Sequence, residues 1–306
     1  MKKIIQKIYS KIAKLFFGTG IGKNEIVHKT YCYLTKQLKP EFVEIDGLKY
    51  YLDEKDSLGL SVSQIHEKTE TQIVKQEIKK GDVVIDVGSH IGYYTLIFAK
   101  LVGNEGKVYS FEANPDNFKL LKKNIEENNF KNVICENMII SDKIGELQMY
   151  SLDSSTANRL FEEKGSKKLK VKSTSLDEYF KEKLKKIDFV KLDIQGAEPL
   201  AMKGMKKILN NNPKLKILQE WWPSAIKKLG HDPARYIMNL EQNGFEIIEI
   251  DDTKQELIKT TSKQLMKKYP NKQIEDVNLF CTRKKIFEIE EKWNHLIWRI
   301  WIIKII

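Results

Sequence analysis

The sequence predicts an α/β protein built on a doubly wound, mostly parallel sheet. Three observations carry that expectation. Short apolar runs recur at 83–87, 107–111, 187–193 and 214–219, most of them closing on an acid or a glycine, as strands buried on both faces do. Between them, stretches such as 91–100 place apolar residues at helical spacing. This alternation holds over most of residues 81–250, the signature of strand–helix–strand units.

Each element follows from local chemistry. Residues 41–52 alternate loosely around Asp46-Gly47, a hairpin turn pair. Residues 69–79 read as a helix with Ile73, Val74 and Ile78 inward, closed by Gly81. The strand 83–87 runs into Gly88, where the chain must turn sharply. The helix after it leaves backbone N–H groups free at its N-terminus. The second strand, 107–111, ends in Glu112. Ala113-Asn114-Pro115-Asp116 then gives an N-cap, a proline at the first helical position and an acid in the first turn. Phe118, Leu121 and Ile125 form that helix's buried stripe. Strands are expected at 132–135, 146–150 and 170–173, and a helix from 176 to 180. Residues 151–168 read as a surface loop, with Ser154, Ser155, Thr156 and Asn158 suited to an acceptor-selecting lid. The strand 187–193 leads into Asp193-Ile194-Gln195-Gly196-Ala197-Glu198 and a helix reaching 209. After the strand 214–219 come Glu220-Trp221-Trp222-Pro223, a helix over 234–243, and strands at 245–250 and 277–282 that can pair across a lysine-rich excursion.

At 306 residues, with 41% hydrophobic and 31% charged side chains, the chain suits a soluble protein of one sizeable domain with additions, or of two small domains. The expected division is a basic N-terminal helical region (1–40), a lead-in hairpin and helix (41–80), a main domain (81–285) and an aromatic tail (286–306). A net charge of +11 suggests an anionic neighbour, whether lipid, nucleic acid or acidic polymer, or else a solvated lysine surface. In residues 1–17, Ile4, Ile8, Ile12 and Leu15 fall on one helical face and Lys3, Lys7, Lys11 and Lys14 on another. Residues 293–306 set Trp293, Trp298 and Trp301 among isoleucines with Arg299 and Lys304. Both segments suit a peripheral anchor on an anionic membrane, or helices packed on the protein itself. The tail is shorter than the roughly 20 residues a span needs. Cys32, Cys135 and Cys281 lie far apart without disulfide or metal spacing, and no secretory signal is evident, so a cytoplasmic setting is expected.

The chemistry lies at the strand ends, where doubly wound sheets bind ligands. The first strand offers Asp86 and Gly88, the second Glu112, and later strands Asp193 and Glu220. A carboxylate ending the second strand fits a ribose, because two hydroxyls can donate to its two oxygens. An adenosine cofactor follows. Gly88-Ser89-His90-Ile91-Gly92 lacks the middle glycine of the dinucleotide fingerprint. S-adenosylmethionine has no phosphate to cradle and is the better fit.

Four segments in order resemble the FkbM family of S-adenosylmethionine-dependent methyltransferases. They are Gly81 through Thr95, Phe111-Glu112-Ala113-Asn114-Pro115, Ser141-Asp142-Lys143-Ile144-Gly145, and Lys191-Leu192-Asp193-Ile194-Gln195-Gly196-Ala197-Glu198. The resemblance covers about residues 67–250. It implies a class I methyltransferase sheet with an antiparallel last strand, and O-methylation, often of sugars. It assigns cofactor binding to Asp86, Gly88 and Glu112, with His90, Gly92 and Asn114 beside them and Ser141 and Asp142 near the adenine. His90 stands where the family often has Asn, and Gln195 where it often has Glu. Because the sulfonium is already activated, the protein mainly aligns an acceptor oxygen behind the methyl. Asp193 is the expected base or acceptor orienter, with Glu198 as a second catalytic residue. Asp193 and Glu220 could instead share a divalent cation, although no third ligand is evident. His90 and His231 are other candidate bases. Trp221 and Trp222 are candidate sugar-stacking residues. The expected partner is a hydroxyl-bearing acceptor, a carbohydrate, and not a nucleic acid. RNA methylation, non-catalytic cofactor binding and nicotinamide-dependent redox chemistry are the competing readings.

Overall fold

The computed structural model describes residues 39–152, 156–181, 186–270 and 276–283. The amphipathic segment 1–17, the tryptophan-rich tail 293–306, and Cys32, Ser154 and Ser155 lie outside them.

In chain order the structure opens with the hairpin β1 (Phe42–Ile45) and β2 (Leu48–Tyr51), then α1 (Leu60–Ser63) and α2 (Lys68–Glu77). The wound unit follows: β3 (Val83–Val87), α3 (Tyr93–Val102), β4 (Lys107–Phe111), α4 (Pro115–Glu127) and β5 (Val133–Glu136). A small second sheet comes from β6 (Ile139–Ile140), β7 (Gly145–Ser151), β8 (Asn158–Arg159) and β9 (Lys167–Thr174). The chain then returns through α5 (Leu176–Phe180), β10 (Phe189–Leu192), α6 (Glu198–Lys203), α7 (Lys206–Asn211) and β11 (Lys216–Trp221). It closes with α8 (Pro223–Lys228), α9 (Pro233–Gln242), β12 (Glu246–Asp251), β13 (Glu256–Thr260), α10 (Ser262–Lys268) and β14 (Val277–Thr282).

The main sheet has the order β13-β12-β14-β11-β10-β3-β4-β5. β3, β4, β5, β10 and β11 pair in parallel, while β14 runs antiparallel between β11 and β12. This is the doubly wound sheet with an antiparallel last strand. Both faces are covered, which explains the continuous apolar strands. Ile85, Val87, Val190, Leu192 and Ile217 pack on the side of α6, α7 and α9. Val84, Phe189, Leu218 and Phe280 pack on the side of α2, α3 and the β1–β2 hairpin. The hairpin is tied to α4 through Asn124, which accepts from the Tyr51 N–H (2.6 Å) and donates to the Tyr51 and Ile91 carbonyls.

Two local expectations fail. The helix after Asp193 breaks into α6 and α7 at Gly204-Met205. A Cβ on Gly204 would lie 2.2 Å from the Ser141 carbonyl oxygen, so glycine is needed where two backbones close together. Asp177 caps the new helix start by accepting from the Lys207 and Ile208 N–H groups. The lysine-rich excursion also holds the edge strand β13 and helix α10. Only Leu257 and Ile258 gave β13 an apolar signal.

Candidate active site

The carboxyl ends of β3, β4, β10 and β11 open onto one cleft of about 320 Å³, with the second sheet as its opposite wall. Its character changes from end to end. One end is apolar: Phe111, Ala113, Met138, Ile139, Ile140 and Met149. The other is acidic: Glu67, Asp193, Glu220 and Asp276, with His66 and His90 beside them.

The β3–α3 turn is built by the backbone. The Gly88 and Ser89 N–H groups both donate to the Phe111 carbonyl, at 2.9 and 3.1 Å. Gly88 has φ +84, and a Cβ there would sit 1.9 Å from the Asp193 carbonyl oxygen. Its glycine is therefore required by the neighbouring strand end, a reason the sequence did not reveal. Gly92 is likewise a packing glycine, because its Cβ would meet Leu121 at 2.7 Å. It does not line the cleft.

Glu112 does line it. One oxygen accepts from the His90 N–H and the other from the Asn114 N–H, both at 2.8 Å. The Asn117 side chain also hydrogen-bonds to it, which leaves the carboxylate room for about one further donor. Burial pushes its pKa up to about 7, against the lowering effect of those backbone bonds. His90 adopts a left-handed backbone, φ +51, and burial lowers its pKa to about 4, so its imidazole is neutral at pH 7.

Asp193 sits across the cleft at the end of β10. Its Oδ2 accepts from Lys191 Nζ at 2.7 Å. Lys191 is buried in the strand beneath. Burial alone would lower its pKa, but Asp193, Glu67 and Asp86 outweigh that and hold the ammonium charged. Its Nζ also lies 4.6 Å above the Tyr94 ring. Gln195 Nε2 donates to both oxygens of Glu220, at 3.1 and 3.2 Å. Burial, then the charges of Asp193, Glu198 and Asp276, push the Glu220 pKa well above the ordinary carboxylate value.

Several expected site residues lie elsewhere. Strand alternation turns Asp86 to the α3 face, where it accepts from Thr95 Oγ1 at 2.6 Å and is 1% exposed. Glu198 is fully buried under the turn that carries Asp193, accepting from the Ile194 and Gly196 N–H groups at 3.0 and 3.3 Å. It shapes the turn and does not reach the cleft. Asn114 caps α4, accepting from the Asp116 and Asn117 N–H groups. Ser141 is buried at the end of β6, its N–H donating to the Thr174 carbonyl, and Asp142 faces Lys203 at 4.0 Å. The residues just before them, 138–140, are the ones that line the apolar end. Among the described residues no group of three His, Cys, Asp or Glu side chains comes together as a metal set. Trp221 belongs to the core, its Nε1–H donating to the Pro233 carbonyl, and the Trp222 ring is covered by the Arg159 guanidinium at 4.7 Å. His231 lies outside the cleft.

The sequence reading missed His66, Glu67, Lys191, Arg159 and Asp276. Lys191 carried a signal: a lysine inside an apolar strand, two residues before an acid, needs a buried partner. His66-Glu67 gave none, because its contact with the cleft depends on how the 52–67 segment crosses the strand ends.

The chain belongs to the FkbM methyltransferase domain family, whose model matches residues 86–247. Its class is S-adenosylmethionine-dependent methyltransferase, with S-adenosylmethionine as the cofactor. Among similar proteins is methyltransferase sdnD of Sordaria araneosa, 24% identical over 241 residues, covering 68% of this chain and 90% of that one. Hexuronic acid methyltransferase AglP of Haloferax volcanii is 28% identical over 141 residues, 46% of this chain and 56% of AglP. A protein-L-isoaspartate O-methyltransferase of Methanothrix thermoacetophila is 35% identical over 66 residues, and the match spans only 30% of that protein. A solved S-adenosylmethionine-dependent O-methyltransferase of Thermotoga maritima has a TM-score of 0.40 at 14% identity, covering 82% of each chain.

Proposed function

We propose that the protein transfers the methyl group of S-adenosylmethionine to a hydroxyl of a sugar, within a glycan or glycolipid precursor. The observation that carries the reading is the polarity of the cleft. The apolar end suits adenine, Glu112 can accept from a ribose hydroxyl, and the carboxyl-rich end suits a ligand bearing a sulfonium and an ammonium. S-adenosylmethionine supplies an activated methyl, so the chain's own task is to orient an oxygen and remove its proton. With Oδ2 engaged by Lys191, Asp193 has Oδ1 to accept from the acceptor hydroxyl. The choice of a sugar is supported by the likeness to AglP, whose name specifies a hexuronic acid. Thr156, Asn158 and Arg159 line the acceptor-facing wall and can donate to a polyhydroxylated ring.

The test is incubation of the purified protein with trideuteromethyl-labelled S-adenosylmethionine and a glycan and glycolipid extract, followed by mass spectrometry. The expected product is a sugar bearing the labelled methyl ether. Label found in RNA, or none incorporated although cofactor binds, would overturn the sugar reading.

A further inference from the structure

Just before α2, His66 and Glu67 enter the acidic end of the cleft from outside the segment that the family model covers. Several contacts fix them there. The His66 N–H donates to the Tyr93 hydroxyl (3.2 Å), the His66 carbonyl accepts from Thr71 Oγ1 (2.9 Å), and the imidazole meets the Tyr93 ring edge-on at 5.6 Å. Glu67 takes a left-handed backbone, φ +44, that a non-glycine residue adopts only when its surroundings hold it. Gln195 and His90, also left-handed, line the same cleft. One Glu67 oxygen accepts from the Tyr94 hydroxyl (2.9 Å), and the other lies 3.4 Å from His66 Nε2. Glu67 therefore orients the ring through Nε2–H and leaves Nδ1 as the basic nitrogen.

We propose that His66, oriented by Glu67, is the general base that takes the proton from the acceptor hydroxyl while Asp193 positions that hydroxyl; this rests on the methyl-transfer reading above. Asp193 suits the positioning role because Lys191 holds one of its oxygens in an ion pair. In the step, the acceptor oxygen forms a bond to the methyl carbon as the carbon–sulfur bond breaks. The bonding pair stays on sulfur to give neutral S-adenosylhomocysteine. The hydroxyl proton moves to His66 Nδ1 and leaves to solvent afterwards. The groups facing the imidazole are Glu67, Lys191 and Asp193, with His90 and the Tyr93 hydroxyl alongside. Burial works against the imidazolium, but the charge and hydrogen bond of Glu67 prevail and His66 titrates above the ordinary imidazole value. Glu67 itself is held well below the carboxylate range; burial would raise it, but His66 and Lys191 prevail. A dyad of this kind accepts a proton in its neutral form, at pH values above the His66 midpoint.

The proposal predicts that His66 senses charge at the position of the transferring methyl, which can be tested without knowing the acceptor. The full chain, labelled with 13C at histidine Cε1, is titrated by NMR in complex with S-adenosylhomocysteine and separately with sinefungin. Both ligands carry the same adenosine and the same amino-acid end. Sinefungin adds a protonated amine where the methyl would be. His66→Gln assigns the signal among the five histidines. The expected result is a His66 midpoint lower by about one pH unit in the sinefungin complex, since a cation nearby disfavours the imidazolium. Equal midpoints in the two complexes, or a His66 signal that does not titrate, would overturn the proposal alone. Failure of both ligands to bind would overturn the cofactor reading and the proposal with it.

Discussion

Glu112 and Asp193 face each other across the cleft and fail in different ways. Glu112 is buried with both oxygens already accepting from backbone N–H groups. Glu112→Ala removes a charged acceptor from the ribose position and is expected to weaken S-adenosylhomocysteine binding by about 1.5–3 kcal/mol in calorimetry. Its pKa of about 7 adds a pH signature. As pH rises from 6 to 8 the carboxyl ionises and becomes the stronger acceptor, so affinity should increase, and Glu112→Gln should flatten that dependence. Affinity independent of pH in the natural protein would argue against a ribose contact. Asp193→Asn keeps the shape of the turn but takes one charge from Lys191, which retains Glu67 and Asp86 nearby. Cofactor binding should survive and labelled-methyl transfer should fall by about 100-fold, the scale of a lost positioning contact. An unchanged turnover number would remove Asp193 from the site.

At the scale of elements, the β3–α3 and β10–α6 turns are one construction. Gly88 has no side chain because the Asp193 carbonyl occupies its space, and Glu198 fastens the second turn from below. Gly88→Ala therefore adds a backbone clash to an unfavourable φ of +84. Gly165→Ala, at φ +87 with nothing within 4 Å, carries the φ cost alone. Urea denaturation should find Gly88→Ala less stable than Gly165→Ala by about 2 kcal/mol. Equal losses would mean that the two turns separate easily. The same pair of turns shows what could be read in advance. Apolar periodicity revealed the strands and helices, and the order of strand ends revealed Gly88, Glu112, Asp193 and Glu220, because both are local patterns. Asp86 and Glu198 were misplaced because a strand-end acid reads the same whether it faces ligand or core. Here only the alternation of β3, and the two N–H groups above Glu198, decide the direction. His66 and Glu67 were out of reach because no local pattern says where a connecting segment will cross a sheet.

At the scale of the molecule, the fold concentrates acids where burial resists their ionisation. The pKa values of Glu70, Glu112 and Glu198 are each pushed up to about 7 by burial, and those of Glu220 and Asp86 are also raised chiefly by burial. A carboxyl whose folded pKa exceeds its unfolded value adds stability that is full below about pH 4.5 and is lost as pH rises through the folded pKa. Glu67 acts in the opposite sense, because its pKa is lowered: its contribution is present above the unfolded value and is lost in strong acid. Between pH 6 and 8 the raised group prevails, and the ligand-free protein should be less stable at pH 8. Each proton released on unfolding contributes a slope of about 1.4 kcal/mol per pH unit. Of the raised group, Glu112 and Glu220 line the cleft, and Glu220, at its acidic end, can face a cationic ligand once ionised, whereas Glu70 cannot. S-adenosylmethionine should thus recover part of the loss, stabilising the protein more at pH 8 than at pH 6. S-adenosylhomocysteine, which lacks the sulfonium charge, should recover less. Urea denaturation at the two pH values with each ligand at saturation measures all three quantities. A ligand-free protein that gains stability from pH 6 to 8 would show that these carboxyls ionise freely in the fold. Equal stabilisation by the two ligands would show that the acidic end of the cleft does not face the sulfur.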